Sequence, residues 1–452
     1  MHRPERGRAT DESGARNRGR FQFRKCTGAR PTTFAAKRSP LLTNHFGSRK
    51  TPRPLTKPHG TRLWVVALLA VACSRSDTEA RVFEPYQGPP VYPERRQPLP
   101  SVRGPLGLVS NSGSDTISAV DIGSGETLAT VIVGQNPVDL DGPHHVALDR
   151  PRGFAYVALS YPAPSAPRRG VVQKLRLSDL RVVGQVTVDV DPGDIVLSED
   201  GRRLVVTHFD LRKATAVDAG TGDRRATLAL IDPEKILPSR SPDPVKVTVC
   251  AAPHGVALSR PAGDFAYVAC YGDDSVAVQD LRSPSTAPLR VPLGSAAQSA
   301  PRPPVYGPYS VALSPSGSLL AVGNLESKDL RFIDVGSSTL TSRIVPTQGA
   351  PYFSAWASDG TELYVPTQGP DAVRVLDASS GALKRARTFT TLECEHPHEA
   401  VIGRGSETIW IVCEGDRLKP SVVLGLDRST LATKRTVPVG VYPDRLILGE
   451  DR

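Results

Sequence analysis

The 452-residue sequence lacks features that are typical of several large protein classes, among them long apolar runs. It contains a single methionine, and aromatic residues make up 6% of it. The apolar run from Leu63 to Ala72 falls well short of the roughly 20 residues that a membrane-spanning helix requires, so a multi-span membrane protein is excluded. The 42 prolines and 39 glycines exclude a coiled coil or a long helical array. They favour many short strands joined by turns.

Linear catalytic motifs are also absent. The sequence has no G-x-S-x-G, no H-E-x-x-H, no P-loop and no G-x-G-x-x-G after a predicted strand. Its six cysteines include neither C-x-x-C nor C-x-x-C-H. Any active site would therefore have to be assembled from distant parts of the chain.

The net charge of +10 is confined to one end of the sequence. Residues 1–72 hold 16 Lys and Arg against 3 acidic residues, which leaves 40 basic against 43 acidic residues in the remainder. The body of the protein is therefore slightly acidic, and its charge gives no support to a nucleic-acid partner.

The N-terminal region has the features of an export signal. Residues 1–54 are rich in Arg, Pro, Thr and Gly without apolar periodicity, which predicts a disordered basic leader. Residues 55–72 combine a short basic stretch with the apolar run and are typical of a signal peptide. Because so long a stretch precedes this signal, we expect an over-extended gene start, with initiation at Leu55. The alternative is a genuine cytoplasmic extension.

Cys73 follows the apolar run directly. The small residues before it resemble a bacterial lipobox, which implies cleavage before Cys73 and its acylation, although Ala70 stands where Leu is commoner. The alternative is an ordinary secretory signal cut near the same place. Residues 73–103 are rich in proline and predict a lipidated tether to a membrane. Ser74 favours the outer membrane or the periplasmic face over the inner membrane.

One pattern recurs through the rest of the chain: a proline, a polar or aromatic residue, a β-rich run, a glycine turn and a second β-rich run. Each repeat adds a third strand that ends at an Asp expected to form an Asx turn, and then a fourth strand. The repeats start at Pro143, Pro192, Pro253, Pro308, Pro351, Pro397 and Pro443. Four strands per repeat predict the blades of an all-β propeller.

The two ends of the repeat region set the number of blades. The first repeat, from about Leu106, lacks a proline-led inner strand, and the last, from Pro443, is an inner strand with nothing after it. Together they would complete one blade and remove the exposed sheet edge. The sequence therefore predicts a seven-bladed β-propeller over residues 104–452, closed by the C-terminal strand, which we expect to be monomeric.

These repeats resemble the YVTN-type repeat propellers. The likeness is carried by Tyr156-Val157-Ala158, Tyr267-Val268-Ala269 and Tyr364-Val365-Pro366, and by the run from Ser110 to Thr116. No Trp-Asp dipeptide of the WD-repeat kind is present. The resemblance implies a propeller fold, but propellers of this kind include surface-layer proteins, lactonase-like enzymes and redox proteins with haem or copper.

Four cysteines lie at equivalent places in two repeats. Cys250 and Cys394 each precede a repeat proline by three residues, and Cys270 and Cys413 each end the second strand of the same repeat. Adjacent antiparallel strands bring these positions to one face of the ring. We therefore predict the disulfides Cys250–Cys270 and Cys394–Cys413, as suits an exported protein. The alternative is a metal or haem site.

The residue after each repeat proline should lie near the central axis. In ring order these residues are His144, Gly193, His254, Tyr309, Tyr352, His398 and Asp444. We expect His145, Asp194, His208, His396 and Glu414 nearby on the same face. Such a ring could bind a small ligand, hold a transition metal through His144, His254 and His398, or simply line a wet channel mouth.

Two long insertions, residues 226–249 and 282–307, are expected on the same face, where their loops suit a partner site. No cofactor is predicted, and a transition metal is the one possibility that the ring leaves open. The favoured function is a membrane-anchored binding or scaffolding module for an envelope protein, a glycan or a small ligand. The alternative is a periplasmic enzyme, either a lactonase-like hydrolase or a metal-dependent oxidoreductase, that uses the His/Tyr/Asp ring.

Overall fold

The computed structural model describes residues 96–100, 104–135, 140–160, 169–215, 223–238, 241–295 and 303–449. The predicted leader, the signal peptide, Cys73 and most of the tether lie outside the described residues. Within these ranges, no helix is both long and apolar enough to cross a membrane.

Seven antiparallel sheets follow one another along the chain. Blade 1 contains β1 (Leu106–Asn111), β2 (Thr116–Asp121) and β3 (Glu126–Ile132). Blade 2 contains β4 (Pro143–Asp149), β5 (Phe154–Leu159), β6 (Arg169–Arg176) and β7 (Arg181–Val190). Blade 3 contains β8 (Pro192–Leu197), β9 (Leu204–His208), β10 (Thr227–Ile231) and β11 (Val245–Thr248). Blade 4 contains β12 (Pro253–Leu258), β13 (Phe265–Cys270), β14 (Ser275–Asp280) and β15 (Leu289–Pro292).

The remaining blades repeat this order. Blade 5 contains β16 (Pro308–Leu313), β17 (Leu319–Asn324), β18 (Asp329–Asp334) and β19 (Thr339–Pro346). Blade 6 contains β20 (Ala350–Pro351), β21 (Ala355–Trp356), β22 (Glu362–Gln368), β23 (Ala372–Asp377) and β24 (Leu383–Thr388). Blade 7 contains β25 (Pro397–Ile402), β26 (Thr408–Cys413), β27 (Pro420–Asp427) and β28 (Thr433–Val441), and β29 (Pro443–Gly449) ends the order. The short helix α1 spans Leu211–Thr215, and 3₁₀ turns span Pro233–Lys235 and Tyr271–Asp273.

The last strand closes the ring. Strand β29 pairs antiparallel with β1, from Leu106 opposite Gly449 to Asn111 opposite Pro443, and becomes the inner strand of blade 1. This pairing gives blade 1 its fourth strand, so its inner strand comes from the C-terminal repeat. The predicted seven-bladed propeller and its mode of closure are both confirmed.

Burial falls from the axis to the rim of each blade. Strand β5 is buried at every residue except Phe154, because both of its faces pack against other blades. The outer strands β3 and β24, in contrast, alternate between exposed and partly buried residues. The core is therefore a series of apolar layers between blades, which explains the near-continuous hydrophobic runs of the second strands.

The predicted aspartate turns are present where the third strand ends. Backbone N–H groups two or three residues further on donate to the carboxylates of Asp121, Asp280, Asp334, Asp377 and Asp427. The sixth predicted turn residue, Asp218, lies outside the described residues. These Asx turns satisfy the local backbone.

Each inner strand begins at what we call the upper face of the ring and runs to the lower face. Just after the repeat proline its register shifts, as between Pro143 and Val146, Pro253 and Val256, or Pro397 and Glu399. Such bulges re-aim side chains next to functional sites. Here the bulge turns two consecutive residues of the inner strand toward the axis.

Blade 6 departs from this pattern. Its inner strand is interrupted between β20 and β21, and Phe353 in the gap forms a parallel bridge with Glu399 of blade 7. The Phe353 N–H donates to the His398 carbonyl at 2.9 Å, and the Ala400 N–H donates to the Phe353 carbonyl at 2.9 Å. The backbone of blade 6 is thereby drawn toward blade 7 at the axis.

Both predicted disulfides are present. Cys250 pairs with Cys270 across a Cα–Cα distance of 5.8 Å, and Cys394 pairs with Cys413 across 5.2 Å. Each joins the entry of an inner strand to the end of the neighbouring strand at the upper face. One expectation about the loops is wrong: residues 226–249 supply β10, β11 and a connection at the lower face, because they form the third and fourth strands of blade 3.

Residues 96–100 of the predicted tether lie against the propeller. The Leu99 N–H donates to the Ser178 carbonyl at 2.8 Å, and the Leu99 side chain packs on the apolar layer between blades 1 and 2. Residues 96–100, which belong to the predicted tether, are therefore held against the blades.

Candidate functional site

The first residues after the repeat prolines meet at the upper mouth of the channel, as predicted. The rings of His254 and Tyr309 stack at a centroid distance of 3.8 Å. Tyr309 then contacts Tyr352 at 5.5 Å, and Tyr352 contacts His398 at 5.2 Å. Four adjacent blades thus contribute a continuous arc of aromatic and imidazole rings. We call this arc, together with His144 and Asp444, the upper ring.

Gly193 supplies no side chain to the upper ring but makes room for it. A Cβ atom at this position would lie 3.1 Å from both the His254 ring and the Thr207 hydroxyl. That is tighter than ordinary van der Waals contact, so a larger residue would displace His254. The same hydroxyl donates to the His254 carbonyl at 2.6 Å and fixes the bulge of the inner strand.

One side of the upper ring holds a compact group of possible metal ligands. His398, Glu414 and Asp444 are all buried, and one ligand atom from each lies within 4.8 Å of the other two. The His398 Nε2 atom is 3.9 Å from Glu414 Oε1. A histidine with two carboxylates is a donor set that suits a divalent transition metal.

The neighbours of this group fix its geometry. His398 Nδ1 lies 2.8 Å from the Asp444 carbonyl, so Nδ1 donates to that carbonyl and Nε2 is the ring nitrogen on the side of Glu414. Arg417 Nε donates to Glu414 Oε2 at 3.1 Å, and the Gln368 amide donates to Oε1 at 3.3 Å. A metal-binding histidine typically donates its other N–H group to a carbonyl or carboxylate in this way.

Asp444 is the most buried member of the group. Its Oδ2 atom accepts hydrogen bonds from the Ser112 hydroxyl and from His144 Nδ1, the latter at 3.1 Å. Its Oδ1 atom is buried and has no hydrogen-bond partner. Leaving a buried carboxylate oxygen unpaired costs free energy, so this atom is positioned to accept from a ligand.

The electrostatics of the upper ring differ from one imidazole to the next. Burial opposes protonation of His144, but the charge and the hydrogen bond of Asp444 outweigh it, and the pKa of His144 is raised. Burial lowers the pKa of His254 well below its usual 6.5, and the nearby His144 adds to this. Burial also raises the pKa of Tyr352 to about 12, so its hydroxyl keeps its proton at neutral pH.

The metal ligands predicted from the sequence are corrected in part. Within the part of the chain that the structure describes, His144 and His254 do not join His398 in a group of ligand atoms close enough for one ion. His144 instead pairs with Asp444, and His254 Nδ1 lies 3.2 Å from the Tyr309 carbonyl. The ligands that accompany His398 are carboxylates from blades 7 and 1, because these lie beside it at the mouth.

His208 does not belong to the upper ring. Its Nδ1 atom lies 2.8 Å from the Thr227 carbonyl, and its Nε2 atom accepts from the Asp189 N–H at 3.1 Å. It lies on the second strand of blade 3, and its side chain bonds to β10 of its own blade and to β7 of blade 2. His396 also stays outside the ring, with Nδ1 at 3.2 Å from the Gly415 carbonyl.

A second layer of side chains lies one residue deeper in the channel. These residues are His145, Asp194, Phe353, Glu399 and Arg445, each the second residue after a repeat proline. His145 Nδ1 lies 2.8 Å from Asp194 Oδ1, and Arg445 lies 3.2 Å from Glu399 and 3.5 Å from Asp194. Sequence analysis places His145 and Asp194 at the mouth and misses the other three. Shifting the repeat comparison by one residue would have found them.

Phe353 occupies the centre of this second layer. Its ring lies 4.9 Å from that of His145, 5.7 Å from that of His254 and 5.4 Å from that of His398. The Arg445 guanidinium carbon lies 5.5 Å from the centre of the same ring. Phe353 therefore fills the channel beneath the upper ring.

Burial shifts the titration of the second layer. It raises the pKa of Glu399 to about 7, although the charge of Arg445 and the Leu446 N–H oppose the shift. Burial also lowers the pKa of His145 well below its usual 6.5, so this imidazole is neutral at physiological pH. The His145 Nε2 atom is buried without a hydrogen-bond partner.

The propeller is similar to several solved structures. A functionally unknown protein from Desulfotomaculum acetoxidans DSM 771 matches with a TM-score of 0.57 at 13% identity, over 77% of this chain and 99% of that one. The periplasmic gluconolactonase PpgL of Pseudomonas aeruginosa matches with a TM-score of 0.56 at 17% identity, over 76% and 99%. Dihydro-heme d1 dehydrogenase NirN, in complex with DHE, matches with a TM-score of 0.51 at 14% identity, over 80% and 79%.

These identities establish the fold and nothing finer. A scan against protein-family models finds no match, and a search of curated proteins finds none either. The β-propeller, with lactonase-like structures among its neighbours, is thus confirmed, whereas the YVTN repeat type stays a prediction.

Proposed function

We propose that this protein is an exported, lipid-anchored envelope protein whose propeller binds a small polar ligand at the upper ring. Two observations support export: the signal-like residues 55–72 followed by Cys73, and two disulfides within the propeller. Cytosolic proteins of this size rarely keep such bonds. The anchor rests on the sequence around Cys73.

The observation that carries the binding role is the convergence of unlike polar groups at one mouth. The upper ring offers the hydroxyls of Tyr309 and Tyr352, the neutral imidazole of His254 and the buried Asp444 Oδ1, which lacks a partner. Donors, acceptors and aromatic faces in one concave place suit a hydroxylated ligand such as a short glycan. An envelope protein is the alternative partner.

The binding role is tested with a panel of mono- and disaccharides and isothermal titration calorimetry. Tyr309→Ala should weaken the binding of any sugar that binds the wild type by at least tenfold, because a stacking face is lost. His396→Asn is the matched control, since His396 lies on the same face outside the ring with a φ of 54°, which asparagine tolerates. Equal losses in the two variants would contradict a site at the upper ring.

The anchor is tested separately, by labelling cells that express the full chain with radioactive palmitate. Wild-type protein should incorporate label and fractionate with membranes, and Cys73→Ser should do neither. A chain that is exported and unlabelled would support the ordinary secretory signal instead.

A second candidate function is a metal-dependent enzyme at the same mouth, either a hydrolase or an oxidoreductase. It is favoured by the group formed by His398, Glu414 and Asp444, in which Nδ1 of His398 donates to the Asp444 carbonyl and Nε2 lies 3.9 Å from Glu414 Oε1. An ion bound there would supply Lewis acidity toward a carbonyl or a water molecule. The structural neighbours named as a gluconolactonase and a dehydrogenase support testing lactone hydrolysis and dehydrogenation first.

This candidate is tested by elemental analysis and by titration with Co²⁺, whose visible absorption reports its ligands. About one ion per chain is expected, with loss of most of the binding in Glu414→Gln and Asp444→Asn. His396→Asn should retain the ion. A metal-free protein that also fails to bind Co²⁺ would contradict the metal-dependent enzyme. The ligand-binding role would then remain as the proposal.

A further inference from the structure

Arg374 is a buried arginine that the propeller leaves without a partner. It lies in the middle of β23, the third strand of blade 6, and is 7% exposed. Within the described part of the chain it forms no ion pair, and its Nε atom is buried without a hydrogen-bond partner. A buried guanidinium whose charge is not matched destabilises the folded state.

The side chain of Arg374 faces blade 5. Leu376, two residues further along the same strand, packs with Phe332 in the apolar layer between blades 5 and 6. Val373 and Val375 pack in the layer on the opposite face, against blade 7. Because side chains alternate along a strand, Arg374 shares the face of Leu376 and lies at the junction of blades 5 and 6.

Blade 5 holds an equivalent arginine whose charge and donors are matched. Arg331 lies three residues before the aspartate that ends the third strand, as Arg374 does, and is 9% exposed. Its Nη2 atom lies 3.1 Å from Asp329 Oδ2, and its Nη1 atom donates to the Leu293 carbonyl of blade 4. Its guanidinium carbon lies 3.9 Å from the centre of the Tyr306 ring. A carboxylate, a carbonyl and an aromatic face thus serve this arginine.

The carboxylate and the aromatic ring are both replaced around Arg374. The repeat puts Ala372 where blade 5 has Asp329, and Gly349 where blade 5 has Tyr306. Ala372 is buried, and its methyl group offers no acceptor to the guanidinium. Blade 6 therefore keeps the buried arginine and lacks the carboxylate that neutralises it in blade 5.

The upper end of the same junction also has a cation where other blades have a carboxylate. In blades 1, 4 and 6 the residue before the third strand is an aspartate that accepts N–H groups from the connection to the next blade, namely Asp115, Asp274 and Asp371. In blade 5 this residue is Lys328, and its side chain is exposed. Both replacements at this junction favour an anion from solution.

We propose that the junction of blades 5 and 6 binds a small monovalent anion on Arg374, in the role that the Asp329 carboxylate has for Arg331. The anion would accept from the guanidinium N–H groups and neutralise their charge. The burial of Arg374 restricts the site to ions of about the size of chloride, nitrate or formate. The site is separate from the upper ring, because Arg374 lies between two blades on a third strand.

The test uses the purified full chain and the ³⁵Cl NMR line width of chloride, which broadens when the ion exchanges with a protein site. The wild type should broaden the signal in a saturable way, and Arg374→Met should remove most of the saturable broadening. Arg202→Met removes an exposed guanidinium and should keep the broadening. No saturable broadening by the wild type would overturn the proposal, and so would equal losses in the two variants.

Ala372→Asp tests the same site without removing the arginine. It gives Arg374 the carboxylate that Arg331 already has, so it should also abolish the saturable broadening. At constant ionic strength, replacement of gluconate by the smaller chloride should raise the urea midpoint of the wild type and leave that of Ala372→Asp unchanged, because only the wild type gains a bound ion. A midpoint shift of the same size in both proteins would refute the site.

The proposed function at the upper ring is tested independently. Tyr309→Ala alters the upper ring and should broaden the chloride signal like the wild type. Loss of the broadening in this variant would place the ion at the upper ring and overturn the assignment to Arg374.

Discussion

Removal of both disulfides is expected to lower the free energy of unfolding by about 6 kcal/mol. Cys250 and Cys270 are 20 residues apart, and Cys394 and Cys413 are 19 apart. In the chain-entropy model a closed loop of this length stabilises the folded state by about 3 kcal/mol. The two bonds lie in blades 4 and 7 without shared partners, so their effects should add.

The assay is urea denaturation, followed by circular dichroism, with and without dithiothreitol. With an m-value of about 3 kcal/mol per molar urea, loss of each bond should lower the urea midpoint by about 1 M. Replacement of all four cysteines by alanine should give a midpoint near that of the reduced wild type and insensitive to the reductant. A wild type whose midpoint does not change on reduction would refute the reasoning.

The two bonds should differ in their effect on the upper ring. Cys413 directly precedes Glu414, and the bond to Cys394 ties this strand end to the entry of the strand that carries His398. Loss of Cys394–Cys413 should therefore weaken ligand or metal binding at the upper ring. Loss of Cys250–Cys270 costs similar stability and serves as the matched control. Equal binding losses from the two would contradict a local role.

Three further predictions concern the channel. Asp444→Asn should lower the pKa of His144, measured by NMR titration of the imidazole, because the carboxylate that raises it is lost; an unchanged value would contradict this pairing. Burial raises the pKa of Glu399 from 4.5 to about 7, so the folded state holds this proton more tightly than the unfolded state does. Stability should therefore fall as the pH rises from about 4.5 to 7, by up to about 3 kcal/mol, and Glu399→Gln should abolish that part of the profile; an identical slope in the variant would refute it. Phe353→Ala should cost about 3–5 kcal/mol in thermal or urea unfolding, and a loss under 1 kcal/mol would show that this ring does not fill the channel.

The architecture could be predicted from the sequence because the signal is repeated. Seven prolines at similar spacing, each followed by two β-rich runs, define the blades, and the incomplete first and last repeats define the closure. The cysteine pairs follow from the same map, since strand ends that share a face must meet. Repetition makes each of these inferences independent of any single residue.

The site was predicted only in its outer layer, and the reason is the bulge of the inner strands. The sequence analysis places His145 and Asp194 near the mouth, but regular alternation puts every second residue of a strand on one face, so it gives no reason to expect the equivalent residue of other blades at the axis as well. The register shift turns it inward as well, which brings Glu399, Arg445 and Phe353 to the axis. His208 does not reach the upper ring because it lies on a second strand, whose side chains pack between blades.

The pairing of β29 with β1 also sets an order of events during synthesis. The strand that completes blade 1 is the last of the described strands to be made, more than 300 residues after its partner. Until then β1 has one unpaired edge, and the ring is an open arc. The ring can close only after the strand at Pro443 has been made.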